Sequence, residues 1–586
     1  MRIHEWSSRF CRRSNNCQVA VREKDQVIFL PLTKVPYNSI LFNPFCPIQN
    51  LLRNFVWPCA LVIAIIILLV PIAATEISIS PGTPHIINMT IARANAGDTI
   101  ILNPGTYYEN NVTIKKDITI RANVGVGGNA KNTLIDAQGT GRIFYNQRGI
   151  SLTLDNLTLI GGQLSNTPDG GAIYSDGSLL ITSCIIMNSS TSYSGGAIFS
   201  SGSLTIISST ISNCSATIAG GGIEFIGSEA NIISSLITGC SSGQGGAIDS
   251  TNYTVVNSST ISDCIAQGGG GAISSEPPLP VNGDSLDITS STFTNCTAGV
   301  SEKNSGGGAI GARGEIAIFS STIENCSVEN GGRGGAIADI GGSDGASVFI
   351  LTSRLVNDDR GTAIYAWAPV DARYNWWGSN DNPSSHFSEM STDYTANYTP
   401  WLELRITSSS YLYPNQQNAI RADLFYASDG SYINLTYFKP PDIPVVFEAP
   451  EGNVRLEPLY GTLMDGTNST TIIPETSGIA IVDVSADNQT DSLIIPILGP
   501  DTTFSSNVIT SVSRDWGMEN VTIDNQTFAI IIPLNPTNST IPDAFWRVNP
   551  TLPVTTGTPT TPLSFTSALA GIAVTCIFFK ITQRRK

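Results

Sequence analysis

A catalytic site on this chain would need carboxylates placed to work together, and the sequence offers one tight cluster. It is Asn357-Asp-Asp-Arg-Gly361, two acids beside a base. A glycoside hydrolase uses paired carboxylates as acid and as base or nucleophile. A lyase needs calcium-holding acids with a basic residue nearby. Asp358, however, falls in a slot that cysteine fills in earlier repeats, so stacking accounts for it without chemistry. Arg313, Arg333, Arg354 and Arg360 are scattered, and no histidine lies between His85 and His386. With 11 Cys, 3 His and no Cys-x-x-Cys pair, the chain argues against a zinc site. The expectation is a non-enzyme with no cofactor and no metal. What remains is aromatic: Tyr174, Phe199 and Tyr365, with Trp376 and Trp377, have rings that could stack on sugars. For the two tryptophans, capping an exposed core end is the competing reading.

The elements that must position these residues are written as a repeat. Gly-Gly-(Ala/Gly)-Ile begins at Gly170, Gly195, Gly220, Gly245 and Gly270, always 25 residues apart. It returns at Gly307, Gly334 and, in degenerate form, Gly361. Tyr174, Phe199 and Tyr365 each follow one of these tetrads directly. Between tetrads runs a second phrase, Leu204-Thr-Ile-Ile-Ser-Ser-Thr-Ile-Ser-Asn-Cys214, echoed to Cys264, Cys296 and Cys326. Short alternating runs broken by turns are strands. One set of strands per 25 residues predicts a right-handed parallel β-helix, with equivalent residues about 4.8 Å apart. The two glycines are expected to take φ > 0 at a corner. The Ala and Ile are expected to fill the inside. Between Asp98 and Pro383 there is room for about 11 to 12 coils, a rod of about 55 Å. One coil carries an insertion, 276–284, which should project because proline cannot sit in a central strand.

Cys214, Cys240, Cys264, Cys296 and Cys326 form a second column, with Ser189 in the slot before them. Stacked side chains with parallel Cβ vectors favour small buried thiols, with cross-coil disulfides as the alternative.

Composition sets the surroundings. Charged residues are 13% and the net charge is −16, which argues against nucleic acid as a partner. Sixteen Asn-x-Ser/Thr sequons lie between Asn88 and Asn538, which suits a glycosylated, exported protein. Phe55 to Ala74 is apolar, preceded by Arg53 and a basic leader over 1–54. It reads as a signal peptide or a signal anchor. Near the other end a Thr/Pro stretch to Pro562 precedes an apolar run over 563–579 and Arg584-Arg585-Lys586. That predicts a stalk, a C-terminal transmembrane anchor over 563–581 and a short cytoplasmic tail over 582–586.

From Trp401 the repeat stops. Alternation at Leu402, Leu404, Ile406; Ile420, Ala422, Leu424; Val445, Phe447; Ile479, Ile481; and Leu493, Ile495, Ile497 predicts an antiparallel sandwich over 400–500. Further strand-like pieces lie in 501–562, before the stalk.

Gly195-Gly-Ala-Ile198 followed by Phe293-Thr-Asn-Cys296 resembles the repeats of polymorphic outer-membrane-protein type. These are also found in adhesin-like surface proteins of methanogenic archaea. The chain departs by placing Cys where those proteins usually have Asn. Gly97-Asp-Thr-Ile-Ile-Leu-Asn-Pro-Gly-Thr-Tyr107 resembles the first coils of pectin-lyase-like β-helices. Tyr374-Asn-Trp-Trp-Gly-Ser-Asn-Asp-Asn-Pro383 resembles the closing phrase of the methanogen rods. Pro441 to Ala449 followed by Gly478 to Ala486 resembles the immunoglobulin-like modules of invasin-type adhesins. The resemblance implies an archaeal, membrane-tethered adhesin at the cell surface: a β-helix over 75–390, then an immunoglobulin-like β-sandwich. Its implied partners are glycans or surface proteins of other cells, with the membrane held through the C-terminal helix. The rivals are an extracellular polysaccharide lyase or hydrolase, which needs carboxylates converging on one groove, and a passive envelope component.

Overall fold

The computed structural model describes residues 74–499 apart from short interior segments (166–168, 277–283, 300–305, 330–333, 340–346, 358–362, 389–395 and 435–438), together with six separate strands outside that span. Both apolar end segments lie outside the described residues. Among the described residues no helix is long and apolar enough to cross a membrane.

The repeat builds a parallel β-solenoid of right-handed type. One coil shows its logic. Ser178–Thr182 lies on a thirteen-stranded face, Ile185–Met187 on a ten-stranded face, Ser190–Thr191 on a seven-stranded edge and Ile198–Ser200 on an eleven-stranded face. Leu204–Ile207 then lands on the first strand, pairing Leu179 with Leu204 and Ile181 with Ile206. With thirteen rungs on its longest face the rod measures about 58 Å.

Pairing by whole coils keeps every side chain in its own column. The tetrad isoleucines Ile173, Ile198, Ile223, Ile248, Ile273, Ile310 and Ile337 stack in register, each 0% exposed. Each such burial contributes about 1.5–3 kcal/mol.

Two polar columns hold the corners. Between the thirteen- and ten-stranded faces the chain turns on a left-handed residue (Ser208, φ 49°; Ser234, φ 49°; Ser258, φ 50°) followed by a buried serine. Ser209 donates its N–H to Ser235 Oγ, Ser235 to Ser259, Ser259 to Ser291, Ser291 to Ser321 and Ser321 to Ser353, each at 3.1 Å. Asn375 ends the series, accepting from Ser353 N at 2.9 Å. At about 0.5–1.5 kcal/mol net per bond, this ladder is a distributed clamp along the rod. Between the ten-stranded face and the seven-stranded edge the chain turns on Asn188, Asn213, Gly239, Asp263, Asn295 and Asn325, all with φ between 52° and 63°. The cysteine column follows these residues inward. All six described cysteines are unbridged and buried. Cys184 stands apart from the column, heading the serine ladder with its N–H on Ser209 Oγ.

Both ends are closed. The helix Ile86–Arg93 lays Ile87 and Ile91 over the first coils. At the far end Trp377 enters the solenoid core, 5.3 Å from Phe387.

Beyond the rod, two four-stranded antiparallel sheets share one core. The first runs Leu402–Thr407, Asn418–Ala427, Thr467–Pro474, Val454–Glu457; the second runs Tyr460–Leu463, Ile443–Glu451, Gly478–Ala486, Gln489–Ile497. The expected phase is corrected at one strand. Within Gly478–Ala486 the buried residues are Ala480, Val482, Val484 and Ala486, while Ile479 and Ile481 lie on the outer face with Asp483 and Ser485. An unbroken apolar run leaves the phase open by one residue, and the polar partners settle it. A third antiparallel sheet holds Thr503–Ser505, Trp516–Ile523, Gln526–Pro533 and Val548–Pro550. Within the separate unit formed by the first 72 residues, Gln18–Glu23 and Gln26–Pro31 pair as a hairpin.

Candidate functional site

The glycine tetrad does two different jobs, which corrects the expectation that both glycines take positive φ. The first does so in four of the five regular coils (Gly170, 70°; Gly195, 71°; Gly220, 59°; Gly245, 58°), and in the fifth the positive φ falls on Gly269 (68°), just before the tetrad. The second is glycine because neighbouring coils meet there: a Cβ on Gly196 would stand 2.1 Å from the Gly221 carbonyl oxygen. The third and fourth residues then turn inward, so the fifth faces out of the eleven-stranded face.

That fifth position is a column of chemistry. In register it reads Tyr145, Tyr174, Phe199, Glu224, Asp249, Ser274, Gly311, Ala338, Tyr365. Its first part is aromatic. Tyr145 and Tyr174 stack with centroids 5.2 Å apart, and Tyr174 and Phe199 at 4.8 Å. The Arg142 guanidinium lies 5.1 Å from the Tyr174 centroid and donates to the carbonyls of Gly170 and Asp169. Burial, together with Asp176, pushes the Tyr174 phenol up to about 12. Tyr174 therefore has a ring on each side of its own, leaving little open face for a sugar to stack upon.

The next two rungs are acids. Glu224 and Asp249 are 7% and 8% exposed, one coil apart, which sets them about 4.8 Å from each other along the axis. Burial, then the charges of Asp249 and Asp169, push Glu224 up to about 9. Burial and Glu276 push Asp249 up to about 6. Glu224 Oε2 and Asp249 Oδ1 accept no hydrogen bond, and Ser274 Oγ on the following rung makes none of acceptable geometry. The bases nearby are committed elsewhere: Arg142 as above, and Arg313 facing Glu276 at 3.9 Å. Two carboxyls so placed hold one proton between them at neutral pH.

The sequence-based candidates separate here. Tyr174 and Phe199 join this column, Phe199 being 7% exposed. Tyr365 belongs to the same column six rungs beyond Phe199, but it is 1% exposed and packs edge-on to Trp367. Trp376 and Trp377 face opposite ways although adjacent. Trp376 enters the core of the antiparallel sheets and donates from Nε1 to Asp487 at 2.7 Å; Trp377 seals the rod. Neither leaves a surface for a ligand. Asp358 and Arg360, and 277–283 of the insertion, lie outside the described residues. The acid pair was missed by sequence reasoning, although its signal was present. Reading the residue after every tetrad as one column, rather than picking out its aromatics, places Glu224 beside Asp249.

No protein family model and no curated protein matches the chain. Among solved structures, a PL6 family alginate lyase, AlyGC, aligns over 55% of this chain and 40% of its own at 14% identity, with a TM-score of 0.25. The alignment spans less than half of that enzyme.

Proposed function

We propose that this chain is an adhesin-like protein of a cell surface, a non-catalytic, membrane-tethered rod presenting a binding surface to glycans or to surface proteins of other cells. In this reading the two antiparallel sheets after the rod are an immunoglobulin-like module of invasin type. The segment 55–74 directs export, as signal peptide or anchor, and 563–581 holds the membrane. One observation carries the proposal: the rod and the module meet in a packed junction, where Val356 and Trp376 join the module's core and a charged cluster sits beside them. Arg354 donates to Glu324 at 2.7 Å and to Asp487 at 3.0 Å, and Asp487 also accepts from Trp376. A rod packed directly against a module suits display at a distance better than turnover. The test is binding of the full chain to a glycan array and to partner cells. Binding above an unrelated β-solenoid protein supports the reading, and a blank on both contradicts it.

A polysaccharide hydrolase is the second reading, favoured by the acid pair. One rung of about 4.8 Å is close to the roughly 5–5.5 Å between the carboxyls of retaining glycosidases. Against it stands the near-complete enclosure of both groups, which keeps a sugar ring from reaching them. Release of reducing ends from polysaccharides, lost in Glu224→Gln, would favour this reading over the first.

A further inference from the structure

Four of the sequons are not scattered over the surface but stand in one corner column of the rod. Asn188-Ser-Ser, Asn213-Cys-Ser, Asn295-Cys-Thr and Asn325-Cys-Ser all occupy the turn between the ten-stranded face and the seven-stranded edge. Each asparagine is exposed and left-handed (φ 52°, 53°, 55° and 55°), the conformation asparagine accepts more readily than most residues. The next residue, serine or cysteine, is buried, and the sequon's Ser or Thr begins the following short strand. The corner thus leaves each asparagine at the surface while fixing the backbone beneath it; the Asn295 amide donates to Asp263 Oδ1 on the neighbouring rung at 3.2 Å, an exposed bond. Two rungs of the column, Gly239 and Asp263, cannot be modified, which splits the four sites into two adjacent pairs.

Three other sequons differ in kind, whereas Asn111, exposed with φ 54°, shares the geometry but stands outside this column. The Asn252 amide donates to Ile226 O at 3.3 Å, and the Asn468 amide donates to Thr462 O at 2.7 Å. Asn156 accepts from Ala130 N at 3.0 Å. These three are half-buried and tied into the fold.

We infer that the Asn188, Asn213, Asn295 and Asn325 corner is an N-glycosylation stripe, carrying oligosaccharide along one edge of the rod. The inference rests on the export reading above. Partners within a pair stand about 4.8 Å apart, too close for two bulky oligosaccharides to sit without crowding. One glycan per pair is therefore the dominant form. The stripe borders the ten-stranded face and the seven-stranded edge. It lies off the eleven-stranded face and the column there that holds Tyr174, Phe199 and the acid pair.

The experiment is glycopeptide mass spectrometry on the full-length protein purified from its own cells, alongside protease shaving of those cells intact. Expected are glycans on at least one of Asn188 and Asn213 and at least one of Asn295 and Asn325, with Asn252 and Asn468 bare. Surface exposure with bare corner asparagines overturns the stripe alone. No glycan at any sequon, together with protection from shaving, overturns the stripe and the export reading at once.

Discussion

Replacing Glu224 by Gln is expected to stabilise the protein at neutral pH. In the folded chain burial and Asp249 keep Glu224 protonated up to about pH 9, whereas the unfolded chain ionises it near 4.5. Across that window the folded state binds the extra proton, so stability falls as pH rises and levels off once both states are ionised. Asp249, raised from 3.8 to about 6, adds its own fall in the lower part of the range. At about 1.36 kcal/mol per pH unit, Glu224 costs about 3 kcal/mol by pH 7. Glutamine keeps the volume and has no proton to lose. After the cost of burying an amide, about 1–3 kcal/mol of stabilisation should remain at pH 7, and almost none at pH 5. Guanidinium unfolding midpoints of wild type and Glu224→Gln at pH 5, 7 and 9 measure this directly. Parallel curves across that range would refute the reasoning, because they would mean that Glu224 titrates alike in both states.

Three further outcomes follow from the packing. Gly196→Ala should cost about 2–3 kcal/mol, since its Cβ would lie 2.1 Å from the Gly221 carbonyl oxygen; the same unfolding assay measures it. Arg354→Ala strands Asp487 in a site where its side chain is 9% exposed, so a loss of about 3–5 kcal/mol and a wider spread of interdomain distances in solution scattering are expected. Cys184, Cys214, Cys240, Cys264, Cys296 and Cys326 should resist alkylation in the native protein. All six should react after denaturation without reductant, as peptide mass mapping would show, since burial pushes the Cys184 thiol up to about 12 and none is bridged.

The rod was legible because its information is repeated. A 25-residue period states the column of every residue many times over, so the Ile ladder, the inward cysteines and the Gly corner could be read from spacing alone. What escaped was whatever the repeat does not state. The second glycine looks like the first in sequence, and only the approach of the next coil shows why it must lack a Cβ. The serine after each left-handed corner looks like an ordinary solvent-facing residue until its Oγ is seen accepting the N–H of the coil before. The helix Ile86–Arg93 occurs once, with no repeat to announce it. The Ile479–Val482 run is apolar on both faces, so its phase was set by partners it meets only in three dimensions. Glu224 and Asp249 are 25 residues apart, and they become neighbours only when the period is read as a vertical axis.

The central claim, that this rod holds its cell to something outside, is tested most directly by deleting the chain and counting cells that attach to partner cells or to immobilised glycans. Attachment should fall on deletion and return when the wild-type chain is restored. Attachment unchanged by deletion would contradict the claim.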